Sequence, residues 1–149
     1  MFYITYFYNV RFLAPTIIPL STAVWDPKWF HNFQDSYEVF YDKRGVLNGL
    51  RIDVLSPSKI YDGATDCEAC DHSKPESCAF LRKYTDYLHT VDFNKVLLYC
   101  DKIKEAAKLP EADICLLVYE KPDNPCSERT ALCNWFKENG HTLQEWKNN

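Results

Sequence analysis

Glycine is scarce in this chain, with 4 copies in 149 residues, and 26% of the residues are charged, so neither a low-complexity nor a disordered chain fits. No stretch approaches the roughly 18 apolar residues that a membrane span needs. A basic excess is also missing: 17 Lys and Arg stand against 21 Asp and Glu, a formal charge of −4. Coating of nucleic acid or anionic membrane by bulk charge is thereby excluded, and only a local basic patch could serve. The opening Met1-Phe2-Tyr3-Ile4-Thr5-Tyr6 has no early basic residue, no uninterrupted apolar run and no small-residue cleavage site, so it reads as a strand of the mature fold. The expectation is a cytoplasmic protein without a membrane association.

Hydrophobic residues make up 46% of the chain and aromatic residues 15%, enough for the core of a single domain over 1–149. Residues 2–9 alternate as a strand, and Thr16 to Val24, with Pro19 inside, reads as a bent or edge strand. Residues 31–49 look irregular, and Leu50, Ile52 and Val54 alternate as a short strand before Ser56-Pro57. Ser77 suits the cap of a helix over 78–90, and Asp92 the cap of a second with Val96, Leu97, Cys100, Ile103 and Ala107 on its stripe, ended by Pro110. Asp113 to Tyr119 is a continuous apolar run, the mark of a buried central strand. Asn124 as cap, Pro125 at the first helical position and Gly140 as stop punctuate a last helix, and His141 to Trp146 suits a short final strand. The sum is an α/β fold: a three-layer, Rossmann-like domain, its mostly parallel sheet flanked by helices, with a Cys-rich loop at 61–78.

In such sheets ligands gather beyond the carboxyl ends of strands, often at a helix N-terminus. This chain places Glu120 just past the apolar strand, Cys126 at the start of the next helix, and Arg129 one turn on. One reading makes Cys126 a nucleophile or ligand, Glu120 a general acid–base group and Arg129 an anion clamp. The other packs Cys126 and pairs Glu120 with Arg129 as a structural ion pair. No His stands in the motif to activate the thiol.

The same segment resembles the C-terminal signature of the domain-of-unknown-function 488 family. The likeness is carried by Ile114–Val118, Glu120-Lys121-Pro122, Cys126, Arg129, Trp135 and Glu145-Trp146. Tyr3 to Tyr8, Pro27-Lys28-Trp29-Phe30 and Phe80-Leu81 to Phe93 extend it, and residues 31–76 are covered least. Many members carry Cys-His-Arg where this chain has Cys126-Ser127-Glu128-Arg129, so chemistry needing that His is not carried over. The resemblance implies an α/β fold common in bacteria and their phages, with no settled activity.

Seven cysteines are present: Cys67, Cys70, Cys78, Cys100, Cys115, Cys126 and Cys133. Cys67-Glu68-Ala69-Cys70 is a C-x-x-C knuckle that can direct two thiolates at one tetrahedral zinc, with Cys78 as a third ligand. The fourth would be His72, Asp71, Cys126 or His31. Zinc here would pin the loop structurally; incidental thiols and a disulfide are the alternatives. Cys100 and Cys115 sit in apolar elements as small hydrophobes.

Trp25, Lys28, Trp29 and Phe30 cluster in sequence, with Lys43-Arg44 not far on. Aromatics interleaved with cations can stack on bases and grip phosphates, can form a partner-binding patch, or can cap the core. His31, His89 and His141 show no ligand or triad spacing. Two functions follow as expectations. One is an anion- or nucleotide-binding pocket at the last strand–helix junction, acting on nucleotides or nucleic acid, with Trp25, Lys28 and Trp29 against the substrate. The other is a non-enzymatic, phage- or mobile-element-encoded protein that engages a host protein or nucleic acid. Redox sensing through Cys126, Cys133 or the C-x-x-C pair is a third.

Overall fold

Five residues of the apolar run, Ile114 to Val118, are each no more than 1% exposed, which only a strand covered on both faces can achieve. In the computed structural model, which describes residues 1–32, 38–60, 78–124 and 126–148, this strand lies inside a parallel sheet. In chain order, strands β1 (Phe2–Tyr6), β2 (Ile17–Ser21), β5 (Asp113–Val118) and β6 (Leu143–Glu145) are arranged β2-β5-β1-β6. Register pairs Ile4 with Leu116 on one side and with Glu145 on the other. Two further strands, β3 (Phe40–Tyr41) and β4 (Leu47–Asn48), form a small antiparallel hairpin within the stretch expected to be irregular.

Pro19 fits because β2 is an edge. Thr16 and Thr22 exchange backbone hydrogen bonds with β5, through Asp113 N–H to Thr16 O and Thr22 N–H to Leu117 O. The alternate residues face outward, where Pro19 has no N–H to lose. Ser21, also outward, instead bonds the backbone of Leu50 and Ile52. The expected strand over residues 50–54 is therefore a single bridge, Ser21 to Arg51, followed by a 3-10 turn at Asp53–Leu55 that buries Leu55 and leaves Val54 exposed. Likewise β1 stops at Tyr6, because Phe7–Phe12 winds into a 3-10 turn that buries Phe7 and Val10.

The strand pleat divides the core. Ile4, Ile18, Leu20, Ile114, Leu116 and Val118 face one cluster, shared with helices α1 (Ala79–Leu88), α2 (Phe93–Ala106) and α3 (Glu128–Glu138). Tyr3, Cys115 and Leu117 face a second cluster with Phe7, Val10, Leu13, Phe30 and Val46, drawn from turns and the hairpin. This is an α/β fold with a parallel four-stranded sheet and flanking helices. No helix among the described residues is long and apolar enough to cross a membrane.

Two helix starts differ from expectation. Ser77 lies outside the described residues, and α1 begins at Ala79 with Cys78 in the cap position. For α3 the cap is Ser127, whose hydroxyl accepts the Arg129 N–H at 3.1 Å. Asn124 serves a local turn one step earlier, accepting the Cys126 N–H at 3.0 Å, and Pro125 lies outside the described residues. Asp92 caps α2 as expected, its carboxylate accepting the Asn94 N–H at 3.0 Å. Gly140, at φ +80°, sits just past the end of α3 in the conformation that favours glycine.

Candidate functional site

The chain leaves the carboxyl ends of β1 and β5 toward opposite faces. After β1 it enters the turn whose Phe7 and Val10 join the second cluster; after β5 it enters α3, whose Leu132 and Phe136 join the first. Diverging exits from adjacent parallel strands define a topological switch point, the place where open α/β sheets bind ligands. Residues from all four strand ends gather there.

The shift of the cap to Ser127 puts Glu128 and Arg129 in the first turn of α3, both buried. Burial pushes the Glu128 carboxyl up to about 8; the negative charge of Glu120 adds to this, while a hydrogen bond from Thr22 and the charge of Arg129 oppose it. Thr22 Oγ1 lies 2.9 Å from the Leu117 carbonyl and 3.3 Å from Glu128 Oε2. One hydroxyl hydrogen serves one acceptor; given to the carbonyl, it leaves a lone pair to which protonated Glu128 can donate. Arg129 Nε lies 2.5 Å from Glu145 Oε1, and Nη1 donates to the Glu120 backbone carbonyl at 2.7 Å. Burial raises the Glu145 pKa, and Arg129 holds it back. Besides Arg129 Nε, whose contact with Glu145 is an ion pair, three buried atoms here, Arg129 Nη2, Glu120 Oε2 and Glu145 Oε2, have no hydrogen-bond partner among the described residues.

Beside this cluster stands a second polar network. Asp26, its side chain 1% exposed, lies 2.6 Å from His31 Nε2 and 2.5 Å from Arg51 Nη1, and the Ser21 hydroxyl donates to it as well. Arg51 also donates to the Ala23 carbonyl at 2.6 Å and to Asp53 at 2.9 Å. Burial alone would lower the Arg51 pKa, but Asp26 first and Asp53 second outweigh it and raise it. Tyr119, half exposed at the end of β5, is raised by burial and by the charge of Asp26. Its ring lies 5.0 Å from Phe7, which in turn contacts Trp29 at 6.3 Å.

The residues singled out from sequence are thus partly united. Glu120 and Arg129 meet through a backbone carbonyl, and the carboxylate partner of Arg129 is Glu145 instead. Cys126 is buried immediately before the cap rather than within the first turn. Trp29 packs on the second cluster, Lys28 is exposed, and Trp25 is 66% exposed and so does not cap the core. Cys67, Cys70, Asp71 and His72 lie outside the described residues, and Cys78 is wholly buried at the start of α1. Among the described residues no group of three or more His, Cys, Asp or Glu side chains is placed to hold a metal.

His31, which has no partner by sequence spacing, is bonded to Asp26. Sequence reasoning also passed over Asp26, Arg51, Thr22 and Glu128. Only Glu128 carried a signal, a carboxyl beside a helix start within the motif already noted; the others are joined by the fold. No family model matches the chain, and neither does any curated protein or solved structure.

Proposed function

We propose that the crevice at the ends of β1 and β5 binds a nucleotide, and that Glu128 exchanges a proton with it. The observation that carries this reading is the company Glu128 keeps: a carboxyl pushed up to about 8, beside one bare buried donor, Arg129 Nη2, and two bare buried acceptors, Glu120 Oε2 and Glu145 Oε2. Buried polar atoms left unmade are costly, and they become useful when a ligand completes them. A ligand that presents acceptors and donors together suits this set better than a bare anion. A nucleotide does so through base edge, ribose hydroxyls and phosphate. A carboxyl titrating near neutrality can give or take a proton at working pH.

In this reading Arg129 orients the ligand, burial with the added charge of Glu120 favours the protonated form of Glu128, and Cys126 takes no bond-making step. The Rossmann-like, three-layer description and membership of the domain-of-unknown-function 488 family belong to the same proposal. A structural zinc held by Cys67, Cys70, Cys78 and His72, and a cytoplasmic setting, complete it. Cys78, Cys100, Cys115 and Cys133, which form no disulfide, favour a reducing compartment.

Titration of the protein with nucleoside mono- and diphosphates, followed by NMR, tests the reading. Saturable shifts that vanish in Arg129→Met, with the variant still folded by circular dichroism, support it. Wild-type spectra unmoved by every nucleotide at millimolar concentration overturn it.

A further inference from the structure

A second concave surface lies on the sheet face opposite the α-helices. It is a groove of about 430 Å³ lined by residues that include Arg11, Trp29, Phe40 and Lys43. Its charge runs against that of the whole chain. Asp42 is the one acidic residue of its lining, and that carboxylate is committed to Arg44, 3.1 Å away, and to the backbone N–H groups of Arg44 and Val46. Arg44 in turn is spent on the carbonyls of Leu13 and Val10, at 2.7 and 2.6 Å. Lys43 is exposed and has no ion pair among the described residues.

Arg11 is held ready rather than consumed. Its guanidinium carbon lies over the Tyr8 ring, 3.8 Å from the centroid, and its Nε donates to the Tyr8 carbonyl at 2.9 Å. The terminal nitrogens make no hydrogen bond among the described residues, so they can take a phosphate oxygen. The rings beside them reach solvent: Tyr8, which carries Arg11 over its ring and stacks on Tyr6 at 6.0 Å, is 49% exposed, and Phe12, 5.8 Å from it between centroids, is 41% exposed. Half-exposed rings beside the unbonded terminal nitrogens of Arg11, with Lys43 on the same groove, offer two complementary contacts, aromatic surface for bases and charge for phosphates.

From this juxtaposition we infer that the groove and the Tyr8–Phe12 platform form a binding surface for single-stranded nucleic acid. A duplex keeps its bases stacked away from such rings, whereas an unpaired strand can lay them down. The surface is separate from the strand-end carboxyls and does not depend on the nucleotide reading of that crevice. Trp29 lines the groove and contacts Phe7, which contacts Tyr119, so an aromatic row leads from one to the other.

Fluorescence anisotropy of the full chain with a fluorescein-labelled oligothymidylate and its oligouridylate counterpart tests this across a salt series. Saturable binding is expected, and Arg11→Ala and Lys43→Ala should each reduce the slope of log affinity against log salt by about one. Tyr8→Ala, at an exposed position, should weaken binding roughly five-fold or more with an unchanged slope. Lys102→Ala, at an exposed position of α2 outside both sites, should bind the oligonucleotide as wild type does, and nucleoside monophosphate titration of Tyr8→Ala, unchanged from wild type, separates failure here from failure at the crevice. Equal affinity for inorganic polyphosphate, equal affinity for duplex, or three surface variants that bind like wild type would each overturn the inference, as would the absence of saturable binding.

Discussion

Arg129 pairs with Glu145 and not with the Glu120 carboxylate: Nε to Oε1 is 2.5 Å, while Nη1 reaches only the Glu120 backbone carbonyl. One guanidinium thereby ties the start of α3 to the end of β5 and to the edge strand β6. The Arg129 and Glu145 side chains are 8% and 20% exposed, so the pair is largely out of water. Arg129→Met strands the carboxylates and should cost about 3 kcal/mol or somewhat more. Adding Glu145→Gln should recover part of that loss, because it removes the unpaired charge. Urea unfolding of the single and double variants checks this; a double variant weaker than the single one would show that the carboxylate is not penalised.

Glu128 sets a pH dependence of defined sign. Its folded pKa, about 8, exceeds the ordinary 4.5, so between these values the folded state binds more proton than the unfolded one. The contribution is complete below the unfolded value and is lost as pH rises through about 8. The change is on the order of a few kcal/mol. Glu145, also raised, acts in the same direction. Urea midpoints measured from acid to alkaline pH should fall across this window, and Glu128→Gln should flatten the curve. A wild-type midpoint that rises over the same interval would remove Glu128 as a buried acid.

Arg51 sits between two carboxylates of unequal worth. Asp26 is 1% exposed and Asp53 is 83% exposed, while both touch the same guanidinium. Asp26→Asn should cost about 3–5 kcal/mol, since it leaves a buried cation short of its partner. Asp53→Asn should cost less than about 1 kcal/mol, because solvent screens that pair. Thermal melting of the two variants side by side distinguishes them.

Thiol reactivity should divide by burial. Burial pushes Cys100 up to about 12 and raises Cys115 and Cys133 as well. Cys100 and Cys115 should therefore resist alkylation until the protein unfolds, as small core hydrophobes do. If zinc is held as proposed, elemental analysis returns one zinc per chain, and chelation makes Cys67, Cys70 and Cys78 newly reactive by mass-spectrometric mapping. Absence of metal from protein purified without chelator sinks the zinc site.

Much of the scaffold was legible because local signals and burial agree. The run Ile114 to Val118 could only be a covered strand, Asp92 could cap only one way, and Pro19 could sit only where a strand lacks an outer neighbour. The start of α3 departs from the local signal for a physical reason: Asn124-Pro125 and Ser127 both carry start signals, and the Ser127 hydroxyl accepts the Arg129 N–H. That displacement carries Cys126 out of the helix and brings Glu128 and Arg129 into its first turn.

The sequence by itself determined a parallel sheet, a strand–loop–helix unit at its carboxyl end, and Glu120 and Arg129 as neighbours of that end. Only the tertiary structure decided who pairs with whom. Asp26, His31 and Arg51 meet because β2 runs at the sheet edge and bonds the segment around Arg51; Glu145 reaches Arg129 because β6 lies beside β1. Hydrogen bonds and desolvation act over a few ångströms, and residues far apart along the chain enter that range only when the sheet sets their order.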